Sequence, residues 1–115
     1  MKKAYDYARA DRLVPLLRSV NGEIRDRKHA VRRLERQLAQ LSSDEDEYFL
    51  VQAELANHRL EIRRARKELE QLGCVVDEAN PLRVLIPGEN GALEQGFAWE
   101  VGDAQVRALL SETMP

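Results

Sequence analysis

Two runs of apolar residues, spaced by three and four, constrain this chain more than any other feature. Leu17, Val20, Ile24, Val31, Leu34, Leu38 and Leu41 form the first. Tyr48, Val51, Leu55, Ile62, Ala65, Leu69 and Leu72 form the second, and each run has one polar intruder, Arg27 and His58. That spacing places every member on one stripe of an α-helix, the seam of a coiled coil. Between the runs, Ser42-Ser43-Asp44-Glu45-Asp46 is short and polar. Two seams joined by a tight turn predict an antiparallel helical hairpin.

The expected architecture is one domain over residues 1–115, α+β but mainly α. A kinked first helix covers 5–41, with Asp6 as its cap. Pro15 removes a hydrogen bond and clashes with the preceding turn, so a kink or restart is expected there. A second helix covers 45–72, capped by Ser43 or Asp44 and ended by Gly73. Folding at the turn sets Leu38 near Val51, Leu34 near Leu55, Val31 near His58, and Arg27 beside Ile62. Short β-type runs at Cys74-Val75-Val76, Leu82–Ile86 and Phe97–Val101 predict a three-stranded antiparallel meander over 74–101. Its apolar face is expected to pack on the open end of the hairpin. A short helix over 103–113, capped by Asp103 with Val106, Leu109 and Leu110 as its stripe, closes the expectation.

Charge narrows the function classes. The net charge is −2, which argues against the whole chain being a nucleic-acid or anionic-membrane binder. Its distribution is uneven: five basic and two acidic residues in 1–20, eleven of each in 21–72, two basic and seven acidic in 73–115. Cys74 is the one cysteine, so no internal disulfide can form and a reducing cytoplasm is the expected compartment. Met1-Lys2-Lys3 has the charge of a leader peptide but no apolar stretch follows, and no run nears the ~20 apolar residues of a membrane span.

The order Tyr5-Asp6-Tyr7, Leu13-Val14-Pro15-Leu16-Leu17, long charged hairpin, Leu72-Gly73-Cys74-Val75-Val76, Ile86-Pro87, then Trp99-Glu100-Val101-Gly102-Asp103 resembles a family of small bacterial proteins. That family is known as a domain of unknown function, number 2203. The resemblance covers roughly residues 5 to 103. It implies the fold and brings no activity with it. The family pattern ends in a tryptophan-histidine pair and an arginine-rich segment, where this chain has Ala104 to Pro115 without histidine or tryptophan. Leu85 stands where an aspartate is usual in the second strand.

Four constellations invite a functional reading. Glu54, His58 and Glu61 lie at i, i+4 and i+7, a spacing that can ligate a metal within a bundle. The plainer reading is a solvated flank, because Glu47, Glu54, Glu61 and Glu68 recur every seven residues. Arg27 and His58 are expected together in the seam, His58 buried and neutral, either fixing register or acting as a pH-sensitive pin.

Arg25, Lys28, Arg32 and Arg36 on the first helix, with Arg59, Arg63 and Lys67 on the second, make a basic mid-stem able to track phosphates. Acidic residues interrupt it and no aromatic interleaves for base stacking, so an ion-paired surface is the plainer origin. Phe49, Leu50, Ala53, Ala56 and Leu60 lie off the seam as a second apolar patch, the mark of an interface. No nucleophile, base and acid share a motif, and Gly88-Glu89-Asn90-Gly91 lacks the lysine of a phosphate loop. The expected function is therefore a non-enzymatic, cofactor-free interaction module that self-associates as a homodimer. A nucleic-acid-associated hairpin is the alternative, and metal binding at the Glu/His triplet ranks lower.

Overall fold

The computed structural model describes residues 3–77 and 79–109. The chain forms a helical hairpin with a small sheet closing its open end, 60 × 29 × 20 Å in extent. Helix α1 (Tyr7–Arg12) begins at Asp6, whose Oδ1 accepts from the Arg9 amide at 2.8 Å. Leu13 ends α1 and immediately precedes α2 (Val14–Ala39). This is the expected restart. Pro15 falls in the first turn of α2, where its missing N–H leaves no intrahelical bond unmade. Helix α2 then runs unbroken through Asn21-Gly22 for 26 residues, about 39 Å.

Helix α3 (Asp46–Gln71) returns antiparallel. Its N-cap is Glu45, with no side-chain cap bond, so the expected cap from Ser43 or Asp44 is not made. The Glu45 amide donates to the Ser42 carbonyl at 3.1 Å, and that turn encloses Ser43 and Asp44 before the helix starts. Asp46 and Glu47 occupy the first turn, where their charge offsets the positive end of the helix dipole. At its far end α3 stops in a full glycine cap. Gly73 adopts φ +79°, its amide donates to Glu70 O at 2.9 Å, and the Cys74 amide reaches back to Leu69 O at 2.9 Å.

The seam buries two clusters. Leu34, Val51 and Leu55 pack near the turn, flanked by Val31, Leu38 and Leu41, as the predicted pairing requires. The larger cluster lies at the open end, where Val14, Leu17, Val20 and Leu69 meet the sheet residues Val84, Ile86 and Trp99. Each such side chain removed from water contributes about 1.5–3 kcal/mol.

The sheet is a four-stranded antiparallel meander in the order β1 (Val75–Val76), β2 (Arg83–Ile86), β3 (Phe97–Glu100), β4 (Arg107–Ala108). Val84 faces Trp99 and Ile86 faces Phe97, so one face presents all four to the helices. The fourth strand corrects the expected terminal helix. Gly102 turns the chain with φ +99°, and the Asp103 carboxylate accepts from the Glu100 amide at 3.2 Å and pairs with Arg107 at 3.7 Å. Asp103 thus ties the chain back to β3 instead of capping a helix ahead of it. The Leu109 amide then donates to Gly96 O at 3.0 Å. Val106 is buried as expected, whereas Leu110 and the rest of the expected helix lie outside the described residues. Among the described residues no helix is long and apolar enough to cross a membrane.

Candidate functional site

Helix α3 has a second stripe directly opposite its seam. Asp46, Phe49, Ala53, Ala56, Leu60, Arg63 and Lys67 recur at alternating steps of three and four, a heptad row of its own. Its apolar members stay wet: Phe49 is 59% exposed and Leu60 37%, with Leu50 beside them at 68%. Ala53 and Ala56 are exposed as well. The five residues singled out from the sequence therefore do lie on the outer side of the hairpin, four of them in line.

The metal triplet does not assemble. Among the described residues no group of three histidine, cysteine or carboxylate side chains is placed to hold a metal ion. Glu61 turns toward Arg64, with 2.6 Å between Oε1 and Nη1. Glu54 points to solvent. His58 is engaged by Arg27, whose Nη1 donates to Nδ1 at 3.2 Å, which requires Nδ1 to be the bare ring nitrogen. Arg27 is held from its other side by Glu23 at 3.1 Å. Arg27 and His58 are both half-buried, so His58 is not buried as expected; the long guanidinium stem carries the Arg27 head to the rim of the seam.

The basic stem divides. Arg59 pairs with Glu35 at 3.8 Å on the outer stem. Arg36, Arg63 and Lys67 are exposed there too. Arg25, Lys28 and Arg32 instead share one row of α2 with Asn21, at i, i+4, i+7 and i+11. That row and Arg66 of α3 wall a cavity of ≈ 290 Å³, closed on the sheet side by Val76, Pro81 and Leu82. A second cavity of ≈ 460 Å³ adjoins it, sharing Lys28, Arg66, Val76 and Pro81, and Glu70 and Asp77 also line it. Asp77 is already committed to Arg83, at 4.0 Å, and to the Ala79 amide. Burial, then the like charges of Arg66 and Arg32, hold the Lys28 ammonium below its usual range.

The unforeseen member is Asn21. It is 2% exposed, and its Nδ2 has no hydrogen-bond partner among the described residues. The sequence marks Asn21 as a weak point of a helix. The informative signal was its phase, one turn from Leu17 and Ile24 on the buried side.

Cys74 Sγ lies 3.9 Å from Leu72 O. It is fully buried, and burial pushes its thiol up to about 12. The hydroxyl of Tyr5, which donates to Leu72 O at 2.8 Å, is also raised, by burial and then by Cys74. Both groups stay neutral in the fold where the unfolded chain ionises. The Cys74 contribution is therefore fully present below the ordinary thiol value of 9.0 and is lost as pH rises through about 12, and that of Tyr5 is fully present below 10.0 and falls as pH rises further. Urea midpoints should hold steady up to that lower value and fall above it, with Cys74→Ala flattening the fall. In the native protein a thiol reagent should find Cys74 silent until the chain unfolds; prompt labelling at neutral pH would contradict this burial.

The fold is thus a helical hairpin clamped by a meander. The chain belongs to the family described as "Uncharacterized conserved protein (DUF2203)", whose model matches residues 3–110. No curated protein and no solved structure matches the chain.

Proposed function

We propose that the protein is a non-enzymatic interaction module that works in the cytoplasm as a two-fold dimer, joined through the outer stripe of α3. The observation behind this reading is the exposed heptad row Phe49, Ala53, Ala56 and Leu60 on the face opposite the seam. Antiparallel pairing of two copies of α3 about a point between Glu54 and Leu55 sets Phe49 against Leu60 and Ala53 against Ala56. It also sets Asp46 against Arg63, so opposite charges close both ends of the apolar row. Two facing alanine layers let the helices approach closely, and the result is a four-helix bundle.

Size exclusion with light scattering tests it. The expected mass is twice the 13.2 kDa of one chain. Phe49→Lys with Leu60→Lys should give a monomer of unchanged helical circular dichroism. A wild-type monomer at concentrations of about 100 μM would refute the module as drawn. The alternative, a nucleic-acid-associated hairpin, draws on the exposed cations Arg36, Arg63 and Lys67. It predicts oligonucleotide binding that weakens steeply with salt, which the dimer does not.

A further inference from the structure

We propose that the cavity between α2, α3 and the β1–β2 side of the sheet binds a small molecule carrying a phosphate group and an apolar body. Lys28, Arg32 and Arg66 take the phosphate, Asn21 donates to it, and Val76 and Pro81 receive the body. Three observations lead there independently. The first is charge: Arg25, Lys28, Arg32 and Arg66 converge on one cavity, and none of the four has an ion pair among the described residues. Cations left unpaired around a concavity are arranged for an anion.

The second is Asn21. A buried amide N–H without a partner costs about 1–3 kcal/mol, and helix interiors offer asparagine no propensity advantage in return. Asn21 lies in the same row as Lys28 and lines the same cavity, its Nδ2 lying just beneath the surface, so a turn of the amide about its Cβ–Cγ bond would bring the donor to an oxygen acceptor there.

The third is size and composition. A cavity of ≈ 290 Å³, adjoining one of ≈ 460 Å³ with which it shares four lining residues, suits a molecule of metabolite size, and its sheet-side wall is apolar. Phosphate suits the donors better than carboxylate does. Two guanidinium forks, an ammonium and an amide offer more N–H groups than two carboxylate oxygens can accept. A strand of nucleic acid fits less well, since the sheet closes one side of the cleft.

Phenyl phosphate supplies both halves of the ligand and is the probe to use. Titrated into the full chain at constant ionic strength and followed by heteronuclear NMR, it should shift the Asn21 side-chain amide saturably. Binding in the millimolar range or tighter is expected, tighter than inorganic phosphate, with phenol giving no such shift. Lys28→Gln and Arg66→Gln should each weaken it about tenfold, the worth of one charge-assisted hydrogen bond.

Asn21→Leu separates a ligand role from a structural one. It should weaken the probe while leaving the chain as stable or more stable, because an unpaired donor is removed; a destabilised chain would make Asn21 structural and overturn its part. An unmoved Asn21, with shifts spread over Arg59, Arg63 and Lys67, would overturn the site in favour of diffuse anion contact on the outer stem. The Phe49→Lys, Leu60→Lys chain should bind the probe as wild type does, so this site and the dimer stand or fall separately.

Discussion

Trp99→Ala should cost about 3–5 kcal/mol, a large share of the roughly 5–15 kcal/mol that holds a domain of this kind together. Trp99 is 1% exposed and sits in the large cluster with Leu17, Leu69, Val84 and Ile86. Truncating it leaves a void where sheet meets hairpin, and neither neighbour can close the gap alone. Strand β3 is held in register by β2, and α2 and α3 are held by each other. The indole adds a polar role. Its Nε1–H donates to Asp103 O at 2.9 Å, the same carbonyl that accepts from Arg18 Nη2 at 3.4 Å.

Trp99→Phe apportions the effect, keeping most of the ring while losing that bond, and about 1–2 kcal/mol is expected. Urea denaturation followed by helical circular dichroism reads both variants, since the only tryptophan is the one removed. A Trp99→Ala cost below about 1 kcal/mol would mean that the sheet is not docked as described.

This arrangement also explains why the stretch Trp99-Glu100-Val101-Gly102-Asp103 carries family resemblance. It encodes a closed turn: a tryptophan in the core, a glycine at φ +99°, and an aspartate binding both strand ends. Read forward, Asp103 is a good helix cap. What a linear reading misses is that its carboxylate is already engaged by Glu100 and Arg107, leaving β4 where a helix was expected. The hairpin was legible because its signal is local and repeats for seven turns in each helix. Its restart at Pro15 and its stop at Gly73 follow from single-residue stereochemistry.

The candidate sites divide along the same line. The outer stripe of α3 lies within one helix, and spacing alone reveals it. The cavity joins residues more than thirty positions apart, from α2, α3 and the loop before β2, and only the folded hairpin puts Lys28 against Arg66. Asn21 carried no chemical motif. Its meaning comes from being buried without a partner, a property of the fold and not of the letter. The Glu54, His58 and Glu61 triplet shows the converse. Its spacing was right, yet Arg27 and Arg64 occupy two of the three side chains.

Gly96→Ala should destabilise by about 3 kcal/mol or more, although it adds only one methyl group. A Cβ built at Gly96 would lie 1.9 Å from Ile86 O and 2.7 Å from the Gly88 amide nitrogen. Both are backbone atoms, so no rotamer change relieves the clash. Gly88 mirrors the problem across the gap, where a Cβ would stand 2.4 Å from Gln95 O. The two glycines therefore let the chain close on itself just beyond the Ile86–Phe97 pair, where β2 leaves the sheet and β3 enters it. Three further contacts converge there: Leu109 N to Gly96 O at 3.0 Å, Gly88 N to Ala92 O at 3.1 Å, and Tyr5 N to Gly88 O at 3.3 Å. Separating the strands would strain all three, loosening β4 and the N-terminal segment together. Gly22→Ala is the matched control: nothing lies within 4 Å of its added methyl, and alanine raises helix propensity by about 1 kcal/mol, so that variant should gain stability. If both substitutions shift the urea midpoint by the same small amount, the close approach of Gly96 to Ile86 is not a feature of the folded protein.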